Sequence, residues 1–197
     1  MKKLSILLFI SFLSFKVFAG EHLLTSESCW AFNKYSSRLY TTELELKYES
    51  DFAKSFLLKY DGVYYSLSDE NIKSLRSACE KYFEWEEIAV KNGAEITKEI
   101  PIRINIAAIW ESYTGESCLG GGELYFTFFS QSKTRHQFVI SSTKIQDVLG
   151  GYSTTTLDDL YFDKEQVKTL YNDISEEKMK SYLETVKKND DIESLFN

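Results

Sequence analysis

The first residues that could do chemistry are a thiol and an imidazole. Cys118 lies in TGESCLGGGELYF (Thr114 to Phe126), beside three glycines and directly ahead of an aromatic run. As a nucleophile it would need a base to take its proton. His136 and His22 are the two histidines of the chain. His136 shares an alternating strand face with Phe138 and Ile140, the place of a half-buried strand-end histidine, and GESC has no local thiol-protease signature. A thiol-dependent hydrolase using Cys118 and His136 is therefore the alternative reading. The preferred reading is a disulfide. Of the three cysteines, Cys79 falls in an apolar helix stripe, where a free cysteine behaves as a small hydrophobe. Cys29 (SESCW) and Cys118 (GESCL) fall in loop-like stretches, where bridge geometry is easier to meet. A Cys29–Cys118 bridge would close a loop of about 90 residues, worth on the order of 4 kcal/mol in the chain-entropy picture.

Other chemistries find less support. Gly120, Gly121 and Gly122 precede a strand, whereas a phosphate cradle opens onto a helix N-terminus. They read as a turn, or as a bulge where a strand begins. Two widely separated histidines give no zinc spacing, and DDLYFDKE (Asp158 to Glu165) lacks the glycine and distal glutamate of a calcium loop. Glu84 and Glu87 share one flank of a helix while Glu86 points elsewhere, which describes a solvated helix face better than paired catalytic carboxylates. No metal and no cofactor is expected.

Aromatic content is the unusual feature. Phe, Tyr and Trp make up 15% of the chain, with 13 tyrosines against 14 phenylalanines. Tyrosine is favoured at interfaces because an apolar ring carries a polar tip. Tyr64, Tyr113, Tyr125, Phe129 and Tyr152 are the candidate binding residues.

The elements that must hold these residues follow from periodicity. Tyr40, Thr42, Leu44, Leu46 and Tyr48 alternate with Thr41, Glu43, Glu45, Lys47 and Glu49, a strand with one wet face. Asp61-Gly62 between two apolar runs signals a hairpin. Ser68 is an N-cap, with Leu67 and Ile72 spaced as a hydrophobic staple. Ile72, Leu75, Cys79 and Phe83 form a helix stripe that ends at Gly93. Strands follow at 102–110, 123–129 and 136–141. The run 123–129 is apolar on both faces and therefore central. Asp163 with Gln166 starts a second helix, again with a staple (Phe162, Val167), and Ser175 a third. Residues 20–36 read as a poorly patterned lead-in. The order predicts an α+β fold, a mostly antiparallel sheet of five to six strands with helices packed on one face.

Met1-Lys2-Lys3, an apolar run to Phe18 and small residues at Ala19-Gly20 have the layout of a secretory signal peptide. The expected division is a signal at 1–19 and a single globular domain at 20–197, with no stable membrane insertion after the signal is removed. The expected address is the bacterial periplasm, with full secretion second. Cleavage removes Lys2, Lys3 and Lys16 and takes the net charge from −7 to about −10. An acidic chain without a Lys/Arg cluster repels nucleic acid and favours a basic partner. The leading functional expectation is a non-enzymatic protein-binding module of the inhibitor or immunity type. A self-associating structural component of the envelope is a further alternative. N-terminal sequencing of exported protein should start at Gly20 or within a few residues of it; a chain that keeps Met1 in the membrane fraction contradicts the signal.

Overall fold

The computed structural model describes residues 21–50 and 55–193, with backbone only for 190–193. The expected signal at 1–19 lies outside the described residues. The fold is α+β, but the sheet closes on itself. The strands are β1 (Glu21–Asn33), β2 (Arg38–Glu49), β3 (Ser55–Tyr60), β4 (Val63–Leu67), β5 (Lys98–Glu111), β6 (Ser117–Ser132), β7 (Arg135–Ser142), β8 (Ile145–Gln146), β9 (Thr154–Thr155) and β10 (Asp159–Phe162). Eight of them form an antiparallel barrel in the order β1-β10-β7-β6-β5-β4-β3-β2, and β8 and β9 pair as a separate ribbon. The expected count of five to six strands is thus too low. The helices are α1 (Asp69–Asn92), α2 (Lys164–Asp173) and α3 (Glu176–Glu193). Among the described residues no helix is long and apolar enough to cross a membrane.

Local sequence dictates much of this. Leu44 and Leu46 of β2 are buried, while Glu43, Glu45 and Lys47 stay on the outer face. Asp61 (φ 46°) and Gly62 (φ 76°) both adopt left-handed conformations, the requirement of a tight two-residue hairpin turn. The Ser68 side chain accepts from Asn71 N–H, and the Asn71 side chain accepts in return from Ser68 N–H. Gly93 ends α1 at φ 59°. Asp163 and Gln166 cap α2 by the same reciprocal pair.

Three stretches depart from expectation. Residues 21–33 form β1, paired with β2 along almost its whole length. Its inward side chains near the barrel, Cys29 and Ala31, are small, and Trp30 points outward at 43% exposure. The pattern is therefore inverted relative to a large-apolar inward face. Second, the glycines lie inside β6, which begins at Ser117. After β7 the chain folds back across β6, and Ile145 lands on the glycines. A Cβ on Gly120 would stand 2.4 Å from the Gln146 carbonyl oxygen and 2.6 Å from Ile145 Cγ2; one on Gly122 would stand 2.7 Å from Ile145 Cγ1. Third, β10 is only four residues long, yet it closes the barrel between β1 and β7.

The two ends differ. The β4–α1, α1–β5, β6–β7 and β10–α2 connections lie at one end. There α1 packs its stripe against inward residues: the Tyr82 ring lies 5.7 Å from Phe128 and 5.8 Å from Phe138. Helix α2 runs beside β1, with Gln166 bonded to the Ser28 carbonyl and Thr25 donating to Asp173 at 2.7 Å. The interior is filled by Tyr65, Phe126, Phe138, Leu124 and Ile104, all at most 2% exposed. The helices thus close an end and support a flank instead of lying on one open face. The other end carries the β1–β2, β3–β4 and β5–β6 turns and the segment between β7 and β10.

The glycine cradle can be tested by paired substitutions. Gly120→Ala forces the chain around Ile145–Gln146 to move and should lower stability by about 1–3 kcal/mol, the usual cost of overpacking. Gly121→Ala, whose Cβ would meet its nearest atom at 3.9 Å, should not destabilise. Urea unfolding of both variants checks the contrast.

Candidate functional site

The turn-bearing end of the barrel is held by a polar cluster centred on Asp158, the residue just before β10. Asn33 Nδ2 lies 3.1 Å from both carboxylate oxygens of Asp158. The hydroxyls of Tyr40 and Tyr60 donate to Oδ2 at 2.7 and 3.1 Å and also contact each other closely. Asp158 is 8% exposed. Burial, then the neighbouring Tyr40 hydroxyl and the Asp158 charge, push the Tyr60 phenol far up. Burial is also the largest influence raising Tyr40. Both phenols therefore stay protonated and remain donors to the carboxylate. Asn33 serves twice, because its Oδ1 accepts from Tyr35 N–H at 3.1 Å and Ser36 N–H at 2.8 Å and so shapes the β1–β2 turn.

Above this cluster opens a cavity of about 570 Å³, lined by Asn33, Tyr35, Tyr60, Trp110, Tyr113 and Asp158 among others. Trp110 donates its indole N–H to Ser153 Oγ at 3.0 Å, tying the wall of β5 to the segment before β9. That segment is anchored by Asp147, which accepts from the N–H groups of Leu119 and Leu149 at 3.1 Å and Gly151 at 2.8 Å. Burial works to raise the Asp147 pKa, but these backbone donors together with Val148 outweigh it and hold the carboxyl below its usual range. A rim of exposed side chains surrounds the opening. Tyr113 and Tyr152 are essentially fully exposed, Tyr35 is 80% exposed, and Val148 and Leu149 accompany them. Tyr35 and Tyr113 border the same cavity, and Tyr113 and Tyr152 border the next one along the rim.

The residues singled out from sequence distribute differently. Cys118 and His136 do not meet. His136 pairs with Ser130 on β6, and Cys118 is twelve residues back along that strand, roughly 40 Å at ~3.3 Å per residue. His136 stacks on Phe128 at 5.2 Å, and its Nδ1 pairs with Ser130 Oγ at 2.8 Å. The expected Cys29–Cys118 bridge is not formed: all three cysteines are free and buried. Cys29 on β1 is separated from Cys118 on β6 by β10 and β7. Three strand spacings of ~4.8 Å far exceed what a disulfide spans. Cys79 is buried in α1 as expected. Tyr113 and Tyr152 lie on the rim. The other three candidates are on the barrel wall. Tyr64 is buried near Lys59, Tyr125 lies under Arg103 at 5.6 Å, and Phe129 meets Tyr161 edge-on at 5.6 Å. Among the described residues no three His, Cys, Asp or Glu side chains gather as a metal site.

No local signal in the sequence marks Asn33, Tyr35, Tyr40 or Tyr60 as functional: Tyr40 reads as a position on a strand face and Asp61-Gly62 as a turn, and nothing joins either to Asp158, which reads only as the first residue of an acidic stretch. Across comparisons with protein-family models, curated proteins and solved structures, nothing matches this chain.

Buried acids set the alkaline limit of the fold. Burial, and secondarily the Glu27 charge, push the Cys29 thiol up to about 12; burial pushes Cys79 to about 12 and is the largest influence taking Tyr64 to about 12. In each case the folded pKa is above the unfolded one. The stabilisation is complete below the unfolded value and is lost as pH rises toward the folded value. The melting temperature should therefore fall steadily from about pH 9 to pH 12; a flat profile across that window contradicts the assignment.

Proposed function

We propose that this chain is an exported, non-catalytic protein-binding module of the inhibitor or immunity type, and that it grips its partner with the rim of the barrel's open end. The observation that carries this reading is the convergence of Tyr35, Tyr113 and Tyr152, from three separate connections, on one end of the molecule with their rings in solvent. Large aromatics cost free energy when left in water, and a cluster of them beside Val148 and Leu149 has the composition of an interface core. The rigid barrel beneath limits the entropy lost on binding. Export is supported by the basic start, apolar run and small residues of positions 1–20.

Two rival readings lose support. A Cys118–His136 hydrolase lacks the contact between its two groups. Association through a sheet edge loses ground because closure gives every barrel strand a neighbouring strand on each side, and α2 lies along the part of β1 that extends beyond β10.

A photo-crosslinking side chain placed at Tyr152 should capture one discrete partner from the cell envelope, whereas the same group at Lys168 on α2 should not. With that partner purified, Tyr113→Ala and Tyr152→Ala should each weaken binding roughly 30-fold, as for a residue worth about 2 kcal/mol in an interface. Their melting temperatures should be unchanged, since both rings are already in solvent. Undiminished affinity in both variants refutes the rim as the binding face.

A further inference from the structure

We infer that the cavity inside the rim is a receptor for an organic cation, the guanidinium or alkylammonium head of an arginine or lysine side chain on the bound partner. This rests on the rim being the binding face. Three carboxylates border the cavity, Asp61, Glu111 and Asp158, and no lysine or arginine does. Among the described residues none of the three forms an ion pair with a cation of the chain. Asp158 is the telling member. It is buried, yet its partners are neutral donors: one amide and two phenols. Buried carboxylates are ordinarily matched by a positive charge.

The hydrogen bonds on Asp158 are also uneven. Oδ2 accepts from Asn33, Tyr40 and Tyr60, whereas Oδ1 accepts from Asn33 alone. A carboxylate offers about four lone-pair sites, so Oδ1 retains capacity for a further donor. A second group lies behind the cavity wall. The Tyr65 hydroxyl is buried, its ring only 1% exposed, and it makes no hydrogen bond of ordinary geometry beyond a loose approach to the Thr155 side chain; it lies within the field of Asp158, and Thr155 and Asp158 are both on the cavity wall. The remaining walls combine the aromatic rings of Trp110, Tyr35 and Tyr113 with the hydroxyl side chains of Ser112 and of the run Ser153 to Thr156. A guanidinium favours such a place, since it stacks on rings while its edge donates to a carboxylate. The cavity is open to solvent, so the cation is only partly desolvated. The acidic balance of the whole chain, −7, steers a basic partner toward it.

Titration with Nα-acetyl-arginine amide and Nα-acetyl-lysine amide, followed by amide and indole proton–nitrogen NMR, tests this without knowledge of the partner. At least one probe should shift the Trp110 indole N–H and the Asn33 side-chain amide, and binding should weaken as salt is raised. The neutral isostere Nα-acetyl-citrulline amide should leave both signals in place. Asp158→Asn should weaken the interaction about tenfold or more. Because Asp158 also holds Tyr40 and Tyr60, the exposed pair Asp61→Asn with Glu111→Gln is the companion variant; it should keep the wild-type melting temperature and still lose affinity. Spermidine separates the sources: if it binds far more tightly than either amino-acid probe, the cavity serves a free polyamine and the side-chain assignment is overturned. Equal shifts from citrulline and arginine amides, or none from either cation, overturn the cation receptor itself. If the cation fails while rim variants still release the partner, the rim reading stands alone; if the rim variants fail while the cation binds, the cavity serves a small ligand and both the rim and the side-chain assignment fall.

Discussion

Everything at the open end depends on the closure of the barrel by β10. This strand pairs with β1 through three residue pairs and with β7 through three more. Joining segments well over a hundred residues apart costs about 4 kcal/mol of loop-closure entropy beyond a constant. The net worth of each new backbone hydrogen bond is about 0.5–1.5 kcal/mol. Such short ladders alone would leave closure marginal. Leu160 and Phe162, both fully buried, add about 1.5–3 kcal/mol each by removal from water, and they decide the matter. At the first residue of the strand, Lys34 pairs with Asp159 at 2.8 Å and Ser141 donates to the same carboxylate at 2.5 Å. Closure then delivers Asp158 to Tyr40 and Tyr60, whose strands would otherwise have no reason to present phenols to one another.

The two ends of the barrel solve opposite problems. At the helical end, apolar rings from α1 meet apolar rings from β6 and β7, and the polar tip of Tyr82 donates to the His136 carbonyl at 2.9 Å. At the other end no helix of the described residues is present. The chain returns over β6 as a narrow ribbon that can lie close because Gly120 and Gly122 have no side chains to hold it away. The ribbon stays in place through the amide donors gathered on Asp147 and the Trp110–Ser153 bond. One end is thus packed shut, while the other is framed by hydrogen bonds and left with space.

What was legible in the sequence follows from the range of the interactions. Caps, staples and the Asp61-Gly62 turn involve residues within a few positions of one another, and Ser68, Asp163 and Gly93 all act as their neighbours suggest. The alternation in β2 was legible because its buried residues are large and its wet residues charged. β1 defied the same test, since Cys29 and Ala31 are small inward residues and Trp30 is a large outward one. The glycines looked like a turn because the ribbon that requires them comes some twenty-five residues later. For the same reason the loop-like setting of Cys29 and Cys118 was misleading: both are strand residues. Two of the expected interface tyrosines, Tyr113 and Tyr152, are on the rim, whereas Tyr64, Tyr125 and Phe129 sit on walls whose neighbours only the barrel supplies. The Asp158 cluster draws on residues 33, 40, 60 and 158, a set with no signature in any window.

That dispersion has a consequence in time. Asn33, Tyr40 and Tyr60 come from the early hairpins of the chain, and the carboxylate that gathers them comes from near its end. Local turns can organise the early strands quickly, whereas pairing across such a separation is slow to find. The cavity therefore has no half-built version: a chain halted before residue 158, or clipped between β7 and β10, carries the rim tyrosines of its early loops but no anionic floor beneath them. On the proposed reading, a partner that fills the cavity would pass over immature copies without any separate surveillance step.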